Sequence, residues 1–387
     1  MNAHEIINII PDKFLDNLAV KTNVDCFVKK LKGKIIFKLF LYAVLNCKTI
    51  SLRILETIFN SEKFKLLFNI EESTIKHSGI GMRLTSIDYH YFEKIFEYLI
   101  HSKTIDEIIF SNQKVNIRKI DSTVVTLSSK LLKIGMEQNP GRKNLKYTIE
   151  INQGIPVNLI FLKDQKYLSE DEALPELIKK KVVKSGLNIT LFDRGIQRRR
   201  TFVELAQDNI HFISRITSQK YTVVKNLPLK EKSTATLKIV FDQIIKFQNE
   251  AEIIDQEFRL IIGINKESKQ KISFITNIHF LSAVEITNLY LSRWEIEIFF
   301  RFIKQELNFS HLLNRSENGI KVLMYLTMIT AILLTIYKKT NRIIGWTVTK
   351  LKFLNELEID LMHNWHLELS SLFSHLNNRL LACPSDP

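Results

Sequence analysis

Residues 290–307 read "YLSRWEIEIFFRFIKQEL". Placed on one helix at about 100° per residue, Tyr290, Arg293, Glu297, Arg301 and Lys304 fall within roughly 80° of one another. Ile296, Ile298, Phe299, Phe300, Phe302, Ile303 and Leu307 take most of the remaining circumference, with Glu295 and Glu306 on a thin outer strip that meets solvent. An exposed helix would show a wider polar face than this. A salt bridge between positions four apart accounts for Arg293 and Glu297, but gives Tyr290, Arg301 and Lys304 no reason to share the stripe. A site that handles phosphates uses all five. A carboxylate brings a divalent metal, Arg and Lys hold neighbouring phosphates, and Tyr supplies a hydroxyl and a stacking face.

Working outward, Ser282 and Glu285 form a capping box that opens this helix. Downstream, "VLMYLTMITAILLTIY" (322–337) is a sixteen-residue apolar run with three threonines. A bilayer needs about 20 apolar residues, so the run predicts a helix buried between layers and no membrane. No proline interrupts residues 229–383, which leaves long helices permitted there.

Upstream, the texture changes twice. Residues 1–110 carry apolar residues at three-and-four spacing and predict an all-helical N-terminal domain. From about 113 short β-type runs take over. "KVNIRKID" (114–121) predicts a strand ending at Asp121, and "KYTIEI" and "IPVNLIFL" predict a hairpin across "NQG". "DEALPELIKKKVV" and "QRRRTFVELAQD" predict helices, with "NITLFD" and "HFISRI" as strands beside them, which makes a mixed α/β layer architecture. Residues 218–280 read as a strand-rich insertion. The domain expectation is therefore a helical DNA-binding domain over 1–110, a core in two parts over 111–217 and 281–340 around the insertion, and a helical tail over 341–387.

Asp121 and Asp193 both stand where an apolar strand gives way to polar chain, the edge at which α/β sheets build sites. Either alone reads equally as a turn or cap residue. Together with Glu297 they supply three acids, the set that binds two Mg²⁺ ions roughly 3.5–4 Å apart for in-line attack on a phosphodiester.

Composition agrees. The chain has 387 residues, 45% hydrophobic and 25% charged, with a net charge of +14. That surplus fits a polyanionic partner, though a lysine-rich background produces it as well. Cys26, Cys47 and Cys383 lie far apart, so neither a zinc site nor a disulfide framework is expected and a reducing cytoplasm fits. The start "MNAHEIINIIPDKF" has no basic segment followed by an apolar run, which predicts no signal peptide.

Tyr290-x2-Arg293-x3-Glu297-x6-Lys304 resembles the YREK signature of bacterial insertion-sequence DDE transposases, insertion sequence four and its relatives, with every spacing kept. "DST" at 121–123 and "FDRG" at 192–195 are similar to that family's first and second aspartate motifs. The likeness covers about 75–340, weakens over 1–74 and is almost absent beyond 355. Ile196 departs from it, because an aromatic residue commonly follows "DRG" there. The resemblance implies a ribonuclease-H-like core in which Asp121, Asp193 and Glu297 are catalytic and bind Mg²⁺ or Mn²⁺. Tyr290, Arg293 and Lys304 would hold the transposon end, and Trp294 matches a position kept near DNA. Arg301 on the stripe and Arg194 and Arg215 beside the second aspartate are further candidates for DNA contact. The implied activity is cut-and-paste transposition by 3′-end hydrolysis and strand transfer. It would act on terminal inverted repeats and target DNA, as a homodimer on paired ends, in the bacterial cytoplasm with the nucleoid. The alternatives are a non-transposing ribonuclease-H-like endonuclease and a domesticated DNA-binding protein.

Overall fold

The structure, a computed structural model, describes residues 1–71, 74–111, 115–127, 135–140, 142–180, 186–217, 219–229, 231, 233–248, 253–309, 313–314 and 316–359. The chain divides into two compact units, one of Met1–Ile109 with Phe302–Pro387 and one of Phe110–Arg301.

The first unit begins with α1 (Ala3–Ile7), α2 (Asp12–Thr22), α3 (Gly33–Asn46), α4 (Leu52–Phe59), α5 (Glu62–Phe68), α6 (His77–Ser86), α7 (Tyr89–Ile100) and the short α8 (Lys103–Ile105). Residues with side-chain oxygens start several of them. Ser51, Ser61, Asp88 and Ser102 each accept a backbone N–H from the first turn, which satisfies a donor the helix cannot pair itself.

The second unit contains β1 (Val115–Leu127), β2 (Met136–Asn139), β3 (Arg142–Asn152), β4 (Ile155–Leu162), α9 (Glu170–Ile178), β5 (Leu187–Phe192), α10 (Arg199–Gln207) and β6 (His211–Arg215). It continues with β7 (Tyr221–Asn226), β8 (Leu237–Gln248), β9 (Ile253–Asn265), β10 (Lys271–Thr276), α11 (Ala283–Leu291) and the start of α12 (Trp294–Glu306). The hairpin between β3 and β4 turns through Gln153 and Gly154, at φ 52° and 79°. Two left-handed residues in succession give the turn that matches strand twist.

Among the described residues, ten strands form one sheet. In the order β4-β3-β1-β5-β6 the first three are antiparallel, and β5 and β6 join in parallel through α9 and α10. This is the ribonuclease-H-like arrangement. The strand-rich insertion is no separate layer. β10 pairs antiparallel with β6, and β9, β8 and β7 extend the same sheet outward.

Alternation decides the two faces. On one face Phe192, Phe202, Phe212, Phe247 and Phe258 pack with Leu174 and Leu177 of α9. Phe202 and Phe212 lie 5.5 Å apart and Phe247 and Phe258 5.4 Å apart between ring centres. Each such buried side chain stabilises the fold by about 1.5–3 kcal/mol. On the other face Leu191, Ile213, Ile261 and Phe274 pack with Ile286 and Tyr290 of α11. Ile196, the departure after "DRG", is fully buried on the α9 side and is spent on packing.

The first unit is completed by the end of α12, by α13 (Glu317–Thr340) and by α14 over 346–359. Residues 302–340, expected with the core, thus belong to the helical unit. α13 is long and apolar enough to cross a membrane, but 94% of its apolar window is buried in the protein, packed against α7, α6, α1 and α3. Most of the expected C-terminal tail, 360–387, lies outside the described residues.

Candidate active site

β1 and β5 run parallel with Lys119 opposite Leu191. The ladder stops there, yet two residues further each strand reaches an aspartate, Asp121 and Asp193. Asp121 is still inside β1 and Asp193 lies just past the end of β5, close enough for the charge of Asp193 to act on the Asp121 carboxyl. Asp193 follows the last residue of β5, as expected. Asp121 does not end its strand: β1 runs six residues further because its antiparallel ladder with β3 continues, pairing Asp121 with Ile149.

The glutamate arrives on a helix that is not continuous with α11. Tyr290 to Lys304 do not lie along one straight stripe, because the chain breaks at Ser292–Arg293. The Ser292 hydroxyl donates back to the Leu289 carbonyl at 2.7 Å, a local bond that competes with helix propagation. The backbone tightens to three-residue spacing, with Arg293 N donating to Tyr290 O at 3.0 Å and Ile296 N to Arg293 O at 3.0 Å. Glu297 then falls in the first turn of α12, where an acid suits the helix dipole.

Tyr290 and Arg293 stay in contact across the break, with the guanidinium 5.8 Å from the centre of the Tyr290 ring. Tyr290 is only 6% exposed and meets Phe274 edge-on at 5.2 Å, so it is a core residue rather than a surface contact for DNA. Burial pushes its hydroxyl up to about 12, against the neighbouring Arg293 and Arg215 charges. Arg293 lies at the mouth of the two aspartates. Its guanidinium bonds Asp121 Oδ2 at 3.3 Å and also pairs with the Glu297 carboxylate. The i,i+4 bridge read from the sequence is therefore present, with Asp121 as a third member. Tyr290 Oη and Arg293 Nε are both buried without a hydrogen-bond partner. Glu295 is exposed, as expected, and also pairs with the buried Lys119 at 2.9 Å, so this pair and that of Arg293, just ahead of α12, with Asp121 fix the start of α12 to β1.

The Asp121 carboxyl is raised to about 7. Burial is the largest cause, followed by the charge of Asp193. Arg293 and the Ser122 N–H pull the other way, and Glu170 adds a further upward push. Two like charges on adjacent strands in a low-dielectric site are what produces such a shift.

Glu170, which sequence reasoning missed, belongs to the site's support. It accepts from Ser122 Oγ at 3.0 Å and from Lys146 Nζ at 3.0 Å, and Lys146 is buried and also donates to Leu168 O. Gly195 lies against it: a Cβ there would stand 2.7 Å from Glu170 Cβ and Cγ and 2.8 Å from Asp193 Oδ1. The glycine of "DRG" is thus a matter of room, and its N–H holds Asp193 Oδ1 at 2.7 Å. Nothing in "LSEDEALP" marks Glu170 apart from its acidic neighbours.

The other predicted contacts divide. Trp294 is 55% exposed and stands clear of the core. Arg301 and Lys304 are exposed, Lys304 beyond the boundary between the units, and Ile298, placed among the apolar residues by the sequence, is exposed too. Arg194 and Arg215 line one cavity of about 360 Å³ with Lys271, floored by Phe247, Leu260 and Ile262.

Among the described residues no three Asp, Glu, His or Cys side chains stand together as they would around a metal ion. The donor types are nevertheless those of a hard divalent cation. The repulsion that raises Asp121 is what such a cation relieves. The two aspartates fit a metal. Glu297 remains with Arg293, whose guanidinium supplies the positive charge at the acids in this structure.

A sequence profile of the family described as "Transposase DDE domain" matches residues 113–334. A putative transposase for insertion sequence element IS4SA from Synechocystis sp. is 25% identical over 251 residues, 59% of this chain and 65% of the relative. Putative transposase y4zB from Sinorhizobium fredii is 25% identical over 154 residues, 40% of this chain and 43% of its own. A probable transposase for insertion sequence element IS5377 from Geobacillus stearothermophilus is 26% identical over 155 residues, 40% and 38% of the two chains. The chain spans 65% of the length of the first of these relatives and less than half of the others. Among solved structures, the piggyBac transposase synaptic complex with hairpin DNA matches in fold, with a TM-score of 0.50 at 10% identity, covering 100% of this chain and 86% of that one. With more than half of its length inside the family profile, this chain belongs to the DDE-domain transposases.

Proposed function

We propose that the chain is the transposase of a bacterial insertion sequence, cutting the element out at its terminal inverted repeats and joining it to target DNA. The observation that carries this reading is the register of β1 and β5, which sets Asp121 beside Asp193, with Glu297 tied to Asp121 through Arg293. Asp121, Asp193 and Glu297 would hold Mg²⁺ or Mn²⁺, two ions in all. When bound, the metal supplies charge neutralisation for a nucleophile and a leaving oxygen.

In the first step the oxygen of water forms a bond to phosphorus, the bond to the 3′ oxygen breaks, and that oxygen leaves with a proton as a free 3′-hydroxyl. In the second, the 3′-hydroxyl attacks a phosphodiester of the target, and the displaced 3′ oxygen of the target takes up the proton. Arg293, once released by the acids, faces the scissile phosphate with a bidentate donor set. The Gly195 N–H keeps Asp193 oriented, and Lys119–Glu295 keeps α12 seated on β1. Trp294, Arg301, Lys304, Arg194 and Arg215 would contact DNA, and Tyr290 would support Arg293 from behind.

The helices of residues 1–110 would recognise the element ends, and two copies would act on paired ends in the cytoplasm with the nucleoid. The family match does not favour the endonuclease or the non-cutting DNA-binding protein. A cleavage assay on end-bearing DNA with Glu297→Ala separates them. DNA binding should survive and metal-dependent nicking should vanish; a variant that still nicks refutes the assignment.

A further inference from the structure

Phe27 is 101% exposed and sits at φ 59°, in the left-handed region. For a bulky residue that backbone conformation is a true outlier, and it persists only where the surroundings dictate it. They do so here. The residues after α2 form a tight loop, with Cys26 N donating to Asn23 O at 3.1 Å and Val28 N to Asp25 O at 3.0 Å. Arg83 of α6, largely buried, clamps both ends of it. Its Nη2 donates to Val24 O at 2.8 Å and to Asp25 Oδ1 at 3.0 Å, and its Nε donates to Leu31 O at 2.8 Å. Gly33 N adds a bond to Asp25 Oδ1 at 2.7 Å. The loop is braced at both ends and holds an aromatic ring out into water.

The exposed charges nearest to Phe27 in sequence are basic. Each acid nearby is already engaged: Asp25 by Arg83, Asp16 by Lys34 at 2.9 Å, and Asp12 by Lys38 at 2.7 Å. Lys21, Lys29 and Lys32 are exposed and have no acid partner among the described residues. A rigidly presented ring between unpaired cations is suited to a polyanion with flat apolar faces between its charges. Duplex DNA is that ligand: lysines meet phosphates, and an apolar wedge unstacks or abuts a base step.

We propose that the Asn23–Lys32 loop is a DNA-contacting element in which Phe27 stacks on bases while Lys21, Lys29 and Lys32 meet the flanking phosphates. The inference rests on the transposase reading for its choice of ligand. Its test uses the full chain and a duplex of about 40 base pairs taken from either end of the DNA segment that encodes the chain. Because Phe27 touches nothing, Phe27→Ala should melt like the parent while binding the duplex about tenfold more weakly, the scale of one lost base stack. Its salt dependence should be unchanged, whereas Lys29→Ala with Lys32→Ala should flatten the slope by about 0.9 per lysine. A 2-aminopurine probe scanned along the duplex should brighten at one position with the parent and stay dark with Phe27→Ala. Equal affinity of parent and Phe27→Ala overturns this inference alone. So does loss of binding to phosphatidylglycerol vesicles in Phe27→Ala with DNA affinity intact, which would make the loop a membrane contact. A parent chain that binds no duplex at all overturns the transposase reading with it.

Discussion

Replacing Asp121 by Asn removes the charge that the site holds at greatest expense. The carboxyl is raised from 3.8 to about 7 by burial and by Asp193, even with Arg293 at 3.3 Å. A raised acid binds its proton more tightly in the folded state. Its contribution to stability is complete below about pH 4 and is lost progressively as pH climbs to about 7, where the folded carboxyl ionises. About three pH units at 1.36 kcal/mol each set a ceiling of roughly 4 kcal/mol. The side chain keeps 20% exposure, so solvent screens part of that and about 2 kcal/mol is the expected size. Asp121→Asn has no such slope. In EDTA it should be more stable than the parent at pH 8 by about 2 kcal/mol, or about 4–8 °C if the sheet unit melts as a block. That advantage should shrink steadily towards pH 4. Added Mg²⁺ should stabilise the parent and leave the variant unmoved, since only a state that binds a ligand gains from it. Thermal melts of both proteins across this range decide the matter. A variant less stable than the parent at pH 8, or a gap that does not change with pH, refutes the electrostatic account of the site.

Gly195→Ala should cost about 1–3 kcal/mol and abolish nicking, since the new methyl must displace Glu170 or the Asp193 carboxylate; melts and a cleavage assay read both. Glu170→Ala leaves the Lys146 ammonium buried without its carboxylate and should cost about 3 kcal/mol, part of which Lys146→Met in the same chain should restore. Arg118 and Glu150 are each almost fully buried and paired at 2.8 Å, so Arg118→Met alone should cost about 3–5 kcal/mol in a denaturant titration. The double replacement with Glu150→Leu should cost less than that single change.

How much of this could be read in advance follows the range of each interaction. The β3–β4 turn was legible because Gln153 and Gly154 carry their own conformational signal. So was α13 as a buried helix, although the helix itself runs further than its sixteen-residue apolar stretch and is long enough to cross a membrane. Asp193 was legible as a strand end because β5 stops with its apolar run. Asp121 was not, since β1 is prolonged by pairing with β3, and that pairing appears nowhere in "KVNIRKID". The break at Ser292 was hidden by an apolar period that continues unaltered across it, while one hydroxyl bond to Leu289 ends the helix. For that reason the straight stripe from Tyr290 to Lys304 is bent at Ser292, and the Tyr290 ring lies in the sheet's core. The joining of β10 to β6 and the approach of Glu170 to Ser122 are likewise contacts between distant segments, invisible to periodicity.

Arg293 ties together two of the acids of this site. Asp121 and Asp193, near the end of a buried parallel pair, repel one another in a medium where Coulomb energies are several times those in water. A guanidinium shared between Asp121 and Glu297 offsets that repulsion inside the protein itself. The same shared group sets what can enter. A cation alone must compete with the arginine for the two acids, and a phosphate alone must draw the arginine away from them. The two together exchange partners, carboxylate to cation and guanidinium to phosphate, with no charge left unpaired. Binding of either therefore favours binding of the other, a coupling that is reciprocal by necessity. On the proposed function, Asp121, Arg293 and Glu297 would act as one switch that makes the acids available as a phosphodiester arrives; a Kd for a phosphodiester that is the same with and without Mg²⁺ would refute it.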